Sequence, residues 1–231
     1  MADLPLTTTQ LLDRLRCGAS NGAQGVSTDP SAGAQARAPI GAAREDQHSA
    51  WNEVDARYRP VLIGFTRSLG LNEADAEDAA QWTLAELSRG LRAGHYERGK
   101  GRLRSWVMGI ARNRVLMIQR SKRQGPTGPL PNDQAAGVWP PTPPDEATMS
   151  VVWERELERT VFTRAWGIVR DRFDDATLRM FELVSMRGVP PAAAAAECAV
   201  PVDRVYVAKS RVTKALREIS AELMSRYGAD E

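Results

Sequence analysis

The sequence has few of the residues on which many enzymes and secreted proteins rely. Histidine occurs only at His48 and His95, and cysteine only at Cys17 and Cys198. Two cysteines that lie far apart, outside a Cys-x-x-Cys spacing, do not indicate a disulfide framework and favour a reduced, cytoplasmic setting. Two histidines leave little for a histidine-based zinc site or a Ser-His-Asp triad. We therefore expect no catalytic residue, no metal and no cofactor.

Long apolar runs and aromatic residues are also scarce. No apolar run approaches the roughly 20 residues of a membrane span, and no signal-peptide pattern opens the chain, so we expect no membrane insertion. Aromatic residues make up 6% of the chain, and the first is Trp51. Residues 17–50 are mostly small and polar, which is too little apolar surface to offset chain entropy. We predict a disordered N-terminal extension over residues 1–49, with at most a short amphipathic helix within residues 4–16.

Apolar residues recur at helical spacing on both sides of a proline-rich stretch. In the first part, Trp51, Val54, Tyr58 and Phe65 form one stripe, and Pro60 within it predicts the start of a second helical segment. No segment alternates polar and apolar residues for long. The sequence therefore predicts an all-α protein of two small helical domains, over residues 50–123 and 150–231, joined by a proline-rich linker over residues 124–149.

Two polar residues are placed to cap helices that follow them. Asn72 precedes an apolar stripe that includes Leu84 and Leu87, and Asp174 precedes a helix that Gly188 is expected to end. Both caps predict where helices begin without reference to the rest of the fold.

Charge is strongly segregated within the first helical domain. Residues 71–88 hold five acids and no base, whereas residues 89–123 hold eleven basic residues and one acid, Glu97. Tyr96 and Trp106 lie among the basic residues, a combination typical of surfaces that neutralise phosphates and stack on bases. An acidic helix followed by a basic one predicts a protein partner and a nucleic-acid partner. Arg114 projects towards the apolar face of the basic helix, and the sequence offers no account of it.

The second domain contains the spacing of a helix-turn-helix. Ala195, Ala199 and Val205 lie at offsets of four and six residues, where the motif needs two small residues and an apolar anchor. The turn position favours a positive φ and hence glycine, so Ala199 weakens the match. The exposed face of the last helix would present polar and basic side chains to a DNA major groove. A helical hairpin that binds protein remains the alternative for this motif alone.

Four segments in fixed order resemble one family across both domains. They are Asp75–Gln81 (DAEDAAQ), Lys100–Trp106 (KGRLRSW), Ile110–Asn113 (IARN) and Val205–Val212 (VYVAKSRV). Their order and spacing, with the proline-rich spacer between, resemble the extracytoplasmic-function (ECF) sigma factors of bacterial RNA polymerase. The resemblance covers about residues 51–123, the family's region two, and 153–227, its region four. It implies that the protein is not an enzyme but the promoter-specificity subunit of one.

The resemblance also implies a role for particular residues. In that family an acidic helix docks on core RNA polymerase, the −10 element is captured as a single strand, and the −35 element is read as duplex. The positions that match the docking helix are Asp75, Asp78 and Gln81. Those that would hold the −10 strand are Tyr96, Arg102, Arg104, Arg112 and Asn113. Those that would contact −35 promoter DNA are Tyr206, Lys209, Ser210, Arg211 and Lys214.

Other expectations concern Trp106 and the partners. Trp106 lies on the apolar stripe with Leu103 and Ile110, so we expect it in the core and not as a base-stacking surface. The implied partners are core RNA polymerase and promoter DNA, and an anti-sigma factor is a further candidate.

Two other functional classes compete with this interpretation. A stand-alone helix-turn-helix regulator would explain the second domain but not the acidic and basic helices of the first. A nucleic-acid-processing enzyme would need a metal-binding carboxylate cluster or an activated nucleophile. The only carboxylate group of that kind is Asp75, Glu77 and Asp78, which lacks histidine and lies in the expected docking helix.

Overall fold

The computed structural model describes residues 8–20, 40–97, 102–124 and 145–227, and every regular element in these ranges is helical. The prediction of an all-α fold is therefore confirmed. None of these helices combines the length and apolarity needed to cross a membrane. The helices are α1 (Thr8–Ser20), α2 (Ile40–Ser68), α3 (Glu73–Arg92), α4 (Leu103–Gln124), α5 (Glu146–Arg170), α6 (Asp175–Phe181), α7 (Pro191–Glu197) and α8 (Val202–Tyr227), with a π-helical turn (Glu182–Met186) directly after α6.

The helices form two compact units whose boundary lies between Glu156 and Leu157. The first unit contains α1 to α4 and the start of α5, and the second contains the rest of α5 and the helices after it. This boundary lies within α5 and not in the predicted linker over residues 124–149, and α5 itself begins at Glu146, inside that linker. Most of that linker, residues 125–144, lies outside the described residues.

The start of α5 packs against α2 through aromatic and polar contacts. The ring of Trp153, which is 2% exposed, meets Phe65 edge to face with 5.5 Å between ring centroids. Nearby, Ser68 Oγ donates a hydrogen bond of 3.0 Å to Glu156 Oε1. These contacts explain why the first residues of α5 group with the first unit, which composition alone does not show.

The N-terminal extension is helical where the structure describes it. The short helix allowed within residues 4–16 is present as α1, which extends to Ser20, and the prediction of disorder is wrong for residues 17–20 and 40–49. Leu11, Leu12 and Leu15 are buried, and α1 contacts α2 and α3. Arg57 of α2 also donates a 3.2 Å hydrogen bond to Thr8 Oγ1. The composition of this segment does not predict a stable helix, because the stability of α1 comes from packing against other helices and not from its own length. Residues 21–39 lie outside the described residues.

The helix α2 runs continuously through Pro60, contrary to the predicted break. Proline removes the hydrogen bond to the carbonyl of Ala56, four residues earlier. Both Pro60 and Ala56 are exposed, so water can satisfy that carbonyl. Packing of Val61, Leu62 and Phe65, each 0% exposed, holds the helix together on its other side.

The helix α3 begins as the sequence predicts. Asn72 is its N-cap, and Asn72 Oδ1 accepts a 2.9 Å hydrogen bond from the backbone N–H of Asp75. Its buried face includes Ala76, Ala79 and Ala80, all 0% exposed. Such small side chains let α2 and α4 approach α3 closely.

In the second unit, α7 and α8 are joined by a tight turn at Ala199. Ala199 has φ of +54° and is the only residue other than glycine with positive φ in the described ranges. The N–H of Val200 donates to the Ala195 carbonyl at 3.0 Å, and the N–H of Ala199 to the Ala196 carbonyl at 3.2 Å, which is a Schellman arrangement. Around the turn, Ala195, Val205 and Ala208 lie in one buried cluster, as their spacing predicts.

The strained turn predicts that Ala199→Gly stabilises the second unit. An alanine in the left-handed region is disfavoured by about 1–2 kcal/mol, and the greater unfolded-state freedom of glycine offsets about 0.4–1 kcal/mol of the relief. We expect the free energy of unfolding to rise by roughly 0.5–1 kcal/mol, measured by native-state hydrogen exchange of α8 amides. The control Ala193→Gly, at an exposed helical position, should lower it by about 1 kcal/mol. Equal losses from both changes would contradict the strain at Ala199.

Candidate functional site

The acidic helix α3 presents Asp78 and Gln81 to solvent. Both side chains are exposed and, at i and i+3, lie on one face of the helix. Neither has an ion pair or hydrogen bond through its side chain within the described part of the chain. This face is therefore available to a partner.

Asp75, the third residue matched to the docking helix, is in a different environment. Its carboxylate forms an ion pair with Lys122 of α4, and it is 22% exposed. The contact joins the acidic helix to the basic one. The charge of Asp75 is therefore engaged within the protein, whereas that of Asp78 is not.

Two further contacts fix α4 on its neighbours. The guanidinium carbon of Arg114 lies over the ring of Trp82 in α3, 5.3 Å from its centroid, within the usual range of a cation–π interaction. Gln119 Nε2 donates a 2.9 Å hydrogen bond to the backbone carbonyl of Leu69. These contacts account for the inward direction of Arg114, which the helical periodicity of α4 left unexplained because the partner ring is on another helix.

The loop residue Tyr96 is not an open stacking surface. It is 7% exposed, and its ring stacks on that of Trp106 with centroids 5.5 Å apart and planes 9° from parallel. Trp106 in turn lies so close to Gly90 that a Cβ there would be 2.7 Å from its Cη2 and Cζ2 atoms. The placement of Tyr96 among candidate base-stacking residues therefore needs correction, because the loop folds back over α4. Trp106 packs as expected on one side but is half-buried and not fully in the core.

The remaining −10 candidates differ in how freely they meet solvent. Arg102 and Asn113 are exposed, whereas Arg112 is half-buried and its Nε atom has no hydrogen-bond partner among the described residues. Arg104, 31% exposed, forms an ion pair with Glu154 at the start of α5. Of these four side chains, only Arg102 and Asn113 are both exposed and unpaired in the described ranges. Residues 98–101 of the preceding loop lie outside those ranges.

The helix α8 separates into a buried face and an exposed face. Val205, Ala208, Val212 and Leu216 are buried. All five side chains matched to duplex recognition are exposed, including Lys209, which helical spacing places nearer the buried side: Tyr206, Lys209, Ser210, Arg211 and Lys214. The exposed face is a mixed polar, aromatic and cationic surface on one continuous helix.

Two of the cations on this surface have different contacts. Lys214 Nζ lies 4.0 Å from Glu218 Oε1, one turn along the same helix. The guanidinium carbon of Arg211 lies over the ring of Phe173, 5.7 Å from its centroid. Phe173 lies in the connection between α5 and α6 and outside every helical stripe, so no sequence pattern marks it as a functional residue.

Comparison with known proteins bears on the first unit. No curated protein matches the chain. Residues 55–124, however, match the family Sigma-70 region 2. This span includes the second half of α2 and all of α3 and α4, and therefore both the acidic face with Asp78 and the basic helix with Asn113. Residues 55–124 are thus similar to sigma-70 region 2, and the match supports assignment of the chain to the sigma-70 family.

Proposed function

We propose that this protein is an ECF-type sigma factor, which directs core RNA polymerase to promoters in the cytoplasm and is not itself an enzyme. The match of residues 55–124 to sigma-70 region 2 carries the proposal. In this proposal α3 docks on the polymerase, and α4 and the loop before it hold the −10 strand. The helix α8, which lies outside the matched span, reads the −35 duplex. An anti-sigma factor is proposed as a further partner, with no residue assigned to it.

The alternative of a stand-alone regulator is favoured only by the exposed face of α8. It does not explain a region 2 domain in which an acidic face and a basic helix are fixed together by Asp75 and Lys122. Co-purification with core polymerase, followed by run-off transcription on the DNA upstream of the protein's own gene, tests the proposed function directly. Specific DNA binding without polymerase association would favour the regulator.

Docking is assigned to Asp78 and Gln81 because, within the described residues, both are exposed and unpaired on one face of α3. Changing them should leave the fold intact, since both side chains are exposed and neither forms a hydrogen bond or ion pair with another described residue. Removal of one partner of a buried charge pair at an interface can cost about 2–5 kcal/mol of binding free energy, because the other charge is left unpaired. Loss of the docking face on α3 should therefore cause a measurable loss of affinity.

We expect Asp78→Arg combined with Gln81→Ala to weaken binding to core polymerase by about tenfold or more, or about 1.4 kcal/mol and above. Fluorescence anisotropy of the labelled protein titrated with core enzyme measures this. The matched control is Glu158→Arg, an exposed charge reversal on the part of α5 in the second unit, which should leave the affinity unchanged. Unchanged affinity in the double variant would remove α3 from the docking surface.

Capture of the −10 single strand is assigned to α4. Fewer of the cations on α4 are free to bind phosphates than its sequence suggests, because Arg104 is paired with a carboxylate. Phosphates that approach Arg104 must compete with the carboxylate of Glu154. Because both partners are partly exposed, the ion pair contributes about 0.5–1 kcal/mol at most. Asn113, which is exposed and carries an amide, is the proposed contact to a base edge, and the buried ring of Tyr96 is no longer part of this site.

Glu154→Gln should therefore raise the affinity of the full chain for single-stranded oligothymidine by about twofold to fivefold, the equivalent of the lost ion pair. The change should disappear when Arg104 is replaced by Ala in the same protein. Glu158→Gln alters the net charge equally and should have a smaller effect. Equal gains from the two glutamate changes would indicate only a long-range charge effect and no competition at Arg104.

Duplex recognition is assigned to the exposed face of α8. If Arg211 makes a bidentate base contact, Arg211→Ala should relax discrimination at one −35 position by about 1–3 kcal/mol. Lys214→Ala should instead weaken binding evenly across sequences and reduce the salt dependence by about one ion. Competition binding with promoter duplexes at several salt concentrations separates the two. Identical, sequence-independent losses would leave no base reader at Arg211.

A further inference from the structure

The backbone next to Phe173 is fixed by a short-range structure at the start of α6. Phe173 directly precedes Asp174, the N-cap of that helix. Asp174 Oδ1 accepts a hydrogen bond from the backbone N–H of Thr177, and Oδ2 accepts one from its hydroxyl, each 2.9 Å long. These bonds, the backbone one first, lower the pKa of the Asp174 carboxyl. The cap is therefore charged at neutral pH and fixes the direction in which the chain enters α6.

Arg211 meets this ring from α8. Its Cζ atom lies 5.7 Å from the ring centroid, within the distance of about 6 Å at which a cation is attracted to an aromatic face. Arg211 is exposed and has no ion pair or hydrogen bond through its side chain within the described ranges. The contact with the Phe173 ring is therefore what restrains the guanidinium of Arg211 within the described part of the chain.

A restraint of this kind differs from an ion pair in what it leaves free. A carboxylate partner would occupy the N–H donors of the guanidinium, as Glu154 does with Arg104. An aromatic ring accepts no strong hydrogen bond from them, so the donors remain available for a ligand. Because a long side chain loses rotamer freedom when it binds, a side chain that is already restrained binds with a smaller entropic loss.

We propose that Phe173 is a positioning residue for Arg211, holding its guanidinium in place for a bidentate contact with a guanine edge in the major groove of duplex DNA. The proposal rests on the proposed reading of DNA by α8. It predicts that discrimination at one base pair depends on a side chain from the connection between α5 and α6, acting through Arg211.

The test uses the full chain bound to core polymerase and a duplex selected from a random library by the wild-type complex. Each base pair of the selected −35 element is substituted in turn, and competition binding gives the discrimination at each position. The variants are Phe173→Leu, which keeps an apolar side chain without a ring, Phe173→Tyr, which keeps the ring, Arg211→Ala, and Phe173→Leu with Arg211→Ala.

We expect Phe173→Leu to lose discrimination about threefold to tenfold at the same base pair that Arg211→Ala affects, and at no other. The double variant should behave like Arg211→Ala, and Phe173→Tyr like the wild type. In the DNA-free protein, the Arg211 side-chain protons should show a ring-current shift in the NMR spectrum that is present with Phe or Tyr and absent with Leu. If Phe173→Leu does not fold, Phe173→Met replaces it, since methionine adapts to irregular gaps.

Four outcomes would overturn the proposal. An even loss of affinity at all positions in Phe173→Leu would indicate a structural role. Losses in Phe173→Leu and Arg211→Ala that add in the double variant would show that the two residues act separately. Failure of the wild-type complex to select any duplex, or unchanged discrimination in Arg211→Ala, would refute the reading of DNA by α8 itself and the positioning role with it. Failure of the positioning role alone would leave the loss of discrimination in Arg211→Ala, which distinguishes the two failures.

Discussion

Close packing through alanine side chains on α3 is the constraint on which the first unit depends. Ala76 and Ala79 lie in one buried cluster with Leu71 of the preceding turn and Val115 of α4, and Ile63 of α2 packs against it. Larger side chains at these positions would push α2 and α4 away from α3 and break the contacts between these three helices. The opposite, solvent-facing side of the same helix carries the acidic residues. The helix α3 therefore presents an acidic face to solvent while its buried face holds the basic helix α4 in place.

The second unit obtains its geometry mainly from local signals. The cap at Asp174 and the turn at Ala199 each fix a chain direction within a few residues, and the buried side of α8 packs against what they position. The face of α8 that meets solvent is thereby decided by residues that make no contact with DNA in the proposed function. Recognition of a base sequence would then depend on backbone conformation at the turn as well as on the side chains that reach the groove.

Features that follow from periodicity and capping could be predicted from the sequence, and features that need a distant partner could not. The helical class, the cap at Asn72 and the exposed side of α8 depend on spacing alone. The burial of Leu11 depends on a surface that α2 and α3 provide, and the burial of Tyr96 depends on a fold of the loop over Trp106. Helical spacing gives the direction of a side chain from its own helix but not the group that it contacts. The pairing of Arg104 with Glu154 therefore could not be predicted from the sequence either.

The internal ion pairs of the basic segment have a consequence for the protein when it is away from the polymerase. Arg89, Arg104 and Lys122 are each paired with a carboxylate, at Glu86, Glu154 and Asp75. Fewer cations are then available to neutralise the phosphates of non-specific DNA. The affinity for non-specific DNA falls steeply with each cation that is lost to an internal ion pair. Bulk chromosomal DNA, present in large excess, would sequester less of the free protein. A larger share would stay in the pool that encounters core enzyme.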